Sequence, residues 1–201
     1  MKITFEHYNP LWKQEFHQIE NELAGLIGFL NPQIEHIGST SVDGLFAKPI
    51  IDILVGVKSD ADLDTIPPLL MDKNYVYYEK YNEDMPYRRF FVKLKDSAQR
   101  LSLPIHIQTE DIIPDELHNH AHRIAHVHVL PFGSEHWIRH IAFRDYLRVH
   151  PAIKDEYQKL KEQLSTMEWK DGNDYNDAKD SFIKREERKA IKWYYEQKNS
   201  K

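Results

Sequence analysis

The sequence predicts an α+β fold: a small mixed β-sheet flanked by helices, with a helical C-terminal part. Three observations carry it. Two β-branched runs, 34–37 and 50–57, read as strands on either side of a small-residue turn. Two aromatic, β-prone runs, 75–81 and 87–94, are joined by Asn82-Glu83-Asp84-Met85-Pro86, a turn that suggests an antiparallel pair. Apolar residues recur at helical spacing before the first strand and again from residue 135 onward. The expected organisation is a core over residues 1–150, with residues 151–201 as a helical extension packed on it.

In chain order, Asn9-Pro10 opens a helix, with Asn as cap and Pro in its first turn. Leu11, Trp12, Phe16, Ile19, Leu23, Leu26 and Ile27 then form its inward face, and it ends near residues 28–31. The run 60–73 reads as a second helix that Pro67-Pro68 must kink or restart. In the strand 87–94, Arg88 and Arg89 alternate to opposite faces of the sheet. Residues 103–108 read as a strand kept at an edge by Pro104, and a polar connection with a short helix near 115–123 follows. Were 126–129 a strand, period two would put His126 and His128 on one face and Val127 and Val129 on the other. Gly133-Ser134-Glu135 caps a helix through Leu147, another spans 152–167, and after a break at 171–173 the last runs from 175 to about 197.

Composition bounds the function. With 201 residues, 41% apolar and 12% aromatic, the chain can bury a core. A net charge of -5 argues against nonspecific binding to the nucleic-acid backbone. No cysteine is present, so neither a disulfide framework nor a thiolate metal site exists, which suits a reducing compartment. The first residues show no apolar signal region and no run is long enough to span a bilayer, so the expectation is a soluble cytoplasmic protein with no membrane partner.

The chemistry concentrates between residues 34 and 57. Gly38 permits close backbone approach. The hydroxyl run Ser39-Thr40-Ser41, at the start of a helical turn, offers N–H and O–H groups suited to a phosphate. Asp52 is the one carboxylate in an otherwise apolar strand, placed to hold the divalent metal, Mg or Mn, that accompanies such a phosphate. The expected ligand is a nucleotide or another phosphorylated small molecule.

The Gly38-Ser39 pair followed by the Asp52 strand resembles the signature of the nucleotidyltransferase superfamily, and the run from His36 to Val55, HIGSTSVDGLFAKPIIDILV, resembles the GrpB (UPF0157) family. YNPLW near the start, the Arg-Phe-Phe run at 89–91, FRDYLR at 143–148 and Tyr175-x-x-Ala178-Lys179-x-x-Phe182-Ile183 are similar to the same family. The resemblance implies a nucleotidyltransferase-like core. It also implies a phosphate-binding set of Gly38, Ser39, Thr40, Ser41, Lys48, Arg88 and Arg89, with Asp52 and His128 as catalytic residues and Asp52, His126 and His128 as metal ligands. It lets Lys161 and Lys179 approach a triphosphate, although a lysine at a helix surface is the commoner outcome. His118, His120 and His122 could enlarge the metal set, or form a solvated loop. Arg144 could fix its helix to the sheet or face the ligand.

One departure weighs against ordinary two-metal catalysis: the superfamily pattern places a second carboxylate two residues after the first, and position 54 is Leu. Three readings follow. They are a nucleotidyltransferase with unusual ligands, a noncatalytic nucleotide-sensing module, and an interaction or folding-assistance domain with a protein partner, of the type appended to dephospho-coenzyme A kinases.

Overall fold

The first helix, α1 (Leu11–Ile27), starts directly after Pro10, and the Asn9 side chain accepts the Leu11 N–H at 3.0 Å, as the Asn-Pro pair predicts. The structure, a computed structural model, describes residues 5–71, 73–170 and 172–199. Six strands follow: β1 (Gln33–Ile37), β2 (Ile51–Val57), β3 (Tyr75–Tyr78), β4 (Arg89–Leu94), β5 (His106–Ile107) and β6 (Arg123–Pro131). They form one mixed sheet in the order β1-β2-β6-β4-β3-β5. The β2–β6 and β3–β5 pairs are parallel and the other three antiparallel. The fold is therefore α+β with a mixed sheet, as the sequence predicts.

Alternation along each strand gives the sheet two unlike faces. On one, Ile51, Ile53, Val55 and Val57 of β2, Ala125, Val127 and Val129 of β6, Phe91 of β4 and Tyr75 and Tyr77 of β3 meet the inward side of α1. Two short helices, α2 (Asp60–Thr65) and α3 (Pro67–Leu70), complete that cover with Leu63, Ile66 and Leu70. The proline pair restarts the helix here: α2 stops before Ile66, and Pro67 begins α3, where its missing N–H costs nothing.

The other face carries two apolar patches separated by polar residues. At the β4-β3-β5 side, Val76, Tyr78, Val92, Leu94 and Ile107 pack under Ala98, Leu103 and Leu117 from the long connection between β4 and β6. At the β1-β2 side, Ile37, Leu54 and Leu130 pack on Trp137 and Ile141 of α4 (Glu135–Val149). Gly56 makes that contact possible, because a Cβ there would lie 2.6 Å from the Trp137 ring. Between the two patches lie Asp52, His126, His128 and Phe90.

Two further helices, α5 (Pro151–Ser165) and α6 (Gly172–Asn199), continue from α4, and Tyr157 and Phe182 from them join Val42, Leu45 and Leu147 in a separate apolar cluster. Arg144 of α4 fixes its helix to β1: it donates to the Glu35 carboxylate at 2.6 Å and to the His36 carbonyl at 3.1 Å, and so does not face the ligand. Several boundaries shift from expectation. The strand 75–81 ends at Tyr78 and turns into a 3-10 segment, β5 is only two residues long, and the helix expected near 115–123 is two 3-10 turns. β6 begins at Arg123 rather than at His126, and α6 already includes Gly172, while Asp171 of the expected break lies outside the described residues.

Candidate functional site

A cavity of about 570 Å³ opens over the polar middle of the sheet. Its floor is Asp52, His126, His128 and Phe90. Its walls are Lys48, Ser39 and Thr40 from the turn after β1, Arg88 and Tyr81 from the β3–β4 connection, His118, His120 and Arg123 from the long connection, and Tyr157, Lys161, Tyr175 and Lys179 from α5 and α6. Of the residues expected at the site, Ser39, Thr40, Lys48, Asp52, Arg88, His126 and His128 line it, whereas Gly38, Ser41 and Arg89 do not.

Arg89 is a correction with a clear cause. It and Arg88 are adjacent, so one must leave the cleft face. Arg89 takes the helix-covered face, paired with Asp64 of α2 at 2.8 Å and donating to the Pro86 carbonyl at 2.9 Å.

The hydroxyl run is placed differently from expectation. Lys161 donates to Ser39 Oγ at 3.2 Å, the Thr40 hydroxyl sits 3.0 Å from His36 Nε2, and Ser41 donates to the Gly38 carbonyl at 2.7 Å. These hydroxyls hold the turn together and brace the wall rather than standing open to a ligand. Gly38, at φ 69°, has its close neighbour inside the protein: a Cβ there would come within 2.2 Å of Asp52 Oδ2. The glycine is required so that the carboxylate can lie against the turn.

Asp52 and His126 face each other in the parallel register of β2 and β6, and His126 Nδ1 lies 3.1 Å from Asp52 Oδ1. Arg123 reaches His126 Nε2 at 3.1 Å and also donates to the Leu117 carbonyl. A guanidinium can only donate, so His126 Nε2 accepts, and its proton sits on Nδ1 and is donated to Asp52. By the same reasoning His128 Nδ1 accepts from Arg88 at 3.4 Å, which leaves the His128 proton on Nε2. Burial, reinforced by Arg88, pushes the His128 pKa well below the usual histidine value.

This accounting bears on the metal. Both nitrogens of His126 are engaged, so the ring presents no free lone pair, and among the described residues no group of three His, Asp or Glu side chains could hold a metal ion. Asp52 is also outnumbered: Lys48, Lys161, Lys179, Arg88 and Arg123 line the same cavity, against Asp52 and Asp84 as its only carboxylates among the described residues. The expected Asp52, His126 and His128 set does not fit a bound Mg or Mn ion.

The cations are short of partners. None of the five has a carboxylate within 4.0 Å among the described residues. Lys48 and Lys179 lie over one aromatic ring, their Nζ atoms 4.6 Å and 4.2 Å from the centroid of Tyr175. Lys161 is fully buried and donates to the Phe46 carbonyl. Burial, and after it repulsion from Lys179, holds Lys48 and Lys161 down to about 7, and burial holds Lys179 down to about 8. Burial, with Lys48 nearby, lowers His120 to about 3. Two buried polar atoms at the cavity, the Tyr175 hydroxyl and Arg88 Nε, have no hydrogen-bond partner among the described residues.

Of this set, Arg123, Tyr175 and Tyr157 escaped the sequence reading as binding residues. The Tyr175 signal was present in the Tyr-x-x-Ala-Lys run, whose i and i+4 positions place Tyr175 and Lys179 on one helical face.

Comparison with known proteins gives the family. A family model described as GrpB protein matches residues 2–189. The glutamate-rich protein GrpB of Alkalihalophilus pseudofirmus is 30% identical over 182 residues, 90% of this chain and 92% of that one. The crystal structure of conserved protein GrpB from Enterococcus faecalis superimposes with a TM-score of 0.74 at 31% identity, covering 96% of this chain and 99% of its own. A dephospho-CoA kinase of Mycobacterium leprae is 25% identical over 197 residues, 92% of this chain but only 45% of the kinase.

Proposed function

The chain belongs to the GrpB family, and from that premise we propose that its cleft binds a nucleotide or another phosphorylated small molecule through Lys48, Arg88, Arg123, Lys161 and Lys179. One observation carries the reading. A chain of net charge -5 gathers five cationic side chains and two carboxylates around a single cavity, and leaves those cations without carboxylate partners among the described residues. Keeping unpaired cations in a sheltered cleft is costly unless an anion completes them. Phosphate oxygens match this lining, because ammonium, guanidinium and phenol groups all donate.

A thermal-shift screen with ATP, GTP, inorganic phosphate and inorganic triphosphate tests it. Binding is expected to raise the melting temperature in wild type and much less in Arg88→Met or Lys179→Met. No shift with any of these anions, with or without divalent ions, overturns the proposal.

A catalytic extension has one specific observation in its favour, the Asp52–His126 pair at 3.1 Å on the cavity floor. His126 orients the carboxylate, which can then take a proton from an acceptor hydroxyl. In the nucleotidyl-transfer form of this reading, the acceptor oxygen attacks the α-phosphorus and pyrophosphate leaves. It is supported by the resemblance of residues 36–55 and weakened by Leu54 and by the engaged Nε2 lone pair of His126. Pyrophosphate release across a panel of acceptors, lost in Asp52→Asn, separates enzyme from sensor. The similarity to part of the Mycobacterium leprae kinase favours a partner-assisting role instead, which retention of such a kinase on the immobilised protein would reveal.

A further inference from the structure

The resemblance of Gly38-Ser39 and the Asp52 strand to nucleotidyltransferases implies a divalent cation to neutralise the ligand's phosphates, and the side chains around Asp52 are built for the opposite task. We infer that the cleft takes its polyanion free of divalent metal, the neutralising charge being supplied by the amines of Lys48, Lys161 and Lys179 and a fixed donor by the hydroxyl of Tyr175. The inference rests on the phosphorylated-ligand reading and adds the ionic form in which the ligand enters.

Four features converge on it. The potential metal ligands are already engaged with one another: Asp52 Oδ1 receives the Nδ1 proton of His126, whose Nε2 is capped by Arg123 at 3.1 Å, while His128 Nδ1 is capped by Arg88. Three amines border the same cavity within a small region, two of them over the Tyr175 ring and the third anchored to Ser39 Oγ at 3.2 Å. Tyr175 is 1% exposed, lines the cavity, and its hydroxyl has no partner among the described residues, so it is a buried donor that lacks an acceptor. A hydrated divalent cation arriving with the ligand would meet five like charges at short range in a sheltered space, where repulsion is strongest. The depressed pKa values of the three lysines have burial as their first cause, offset only in part by Asp52 at Lys48 and Lys179 and by Glu162 at Lys161, so an arriving anion favours the charged amines.

The consequence is a reversal of sign. In a site where metal bridges protein and phosphate, magnesium strengthens binding. Here magnesium competes with the amines for the phosphate oxygens, and so weakens it.

The experiment titrates the full chain with inorganic triphosphate by calorimetry and thermal shift, first in EDTA and then in excess magnesium. Binding in EDTA that is weakened by magnesium is the expected result. Tyr175→Phe, which removes one hydroxyl and keeps the ring under both lysines, should weaken binding in EDTA roughly tenfold with the ligand-free melting temperature little changed. Lys179→Met should weaken it by at least as much and reduce the number of protons taken up per ligand bound. Binding seen only with magnesium overturns this inference and leaves the phosphorylated-ligand reading standing. Absence of binding under both conditions overturns both. Unchanged affinity in both variants removes the assigned residues and with them the inference.

Discussion

The two faces of the sheet differ in how they treat charge. On the face under α1, α2 and α3, every charged group of β4 is tied off: Arg89 pairs with Asp64 and Lys93 with Glu22, each at 2.7–2.8 Å. On the opposite face, among the described residues, the Arg88 Nε has no hydrogen-bond partner and Lys48, Lys161 and Lys179 have no carboxylate within 4.0 Å. Adjacent arginines in one chain thus meet opposite fates. Satisfied charge belongs to the architecture, whereas charge left unanswered in a sheltered place marks where a ligand enters.

The contrast can be broken by experiment. Phe91→Ala, on the helix-covered face, should destabilise the protein by about 3–5 kcal/mol, because a fully buried ring leaves a cavity among β-branched neighbours. Chemical denaturation reads it, and triphosphate affinity measured below the transition should be unaltered. Gly38→Ala should cost about 3 kcal/mol and also perturb binding, since φ 69° disfavours any side chain and the new Cβ collides with Asp52. A core-like loss of stability with no change in ligand affinity would show that the Asp52 carboxylate does not serve the cleft.

The neighbouring arginines give the sharpest test. Arg89→Met should lose about 1–2 kcal/mol of stability as the Pro86 and Arg88 carbonyls lose their donor, with affinity intact. Arg88→Met should do the reverse, leaving stability nearly unchanged and weakening triphosphate binding about tenfold. If both variants behave alike in both assays, the distinction between the faces fails.

The last test is the pH dependence of the ligand-free protein, about 1.4 kcal/mol per pH unit for each proton that the unfolded chain binds and the folded one does not. Lys48 and Lys161 at about 7 and Lys179 at about 8 lie below their ordinary 10.5. Between those values the unfolded chain binds more protons than the folded one, so these lysines make stability rise with pH across that window. Their unfavourable contribution is complete below about 7. His36 at about 4 and His140 at about 3, both lowered by burial, act in the same direction between those values and 6.5. Urea midpoints at successive pH values should therefore climb through neutrality, and saturating triphosphate should flatten the upper part of the climb.

Local pattern made much of this legible. Period two correctly separated Arg88 from Arg89 and put His126 and His128 together, the β-branched runs gave β1 and β2, and the family resemblance gave the middle of β6. The Pro67-Pro68 restart followed from a missing N–H and a ring clash. What escaped was set by distance along the chain. Arg123 meets His126 only because β6 starts three residues earlier than its valines suggest, and Lys48 meets Tyr175 across more than a hundred residues. The hydroxyl run misled because Ser, Thr and amide groups suit a phosphate and a self-bonded turn equally well. His118 and His120 reach the cavity while His122 does not, a split that the irregular 3-10 geometry of that connection hides from any periodic reading.

The strand order carries a kinetic meaning. β6 is the last strand in sequence but lies between β2 and β4. Until residues 123–131 have been synthesised, the nascent chain therefore carries two open edges with nothing to join them. The segment that closes this gap also brings both histidines to the cavity, His126 against the aspartate, so the sheet and the cleft are completed in one step, and whatever delays the former delays the latter equally.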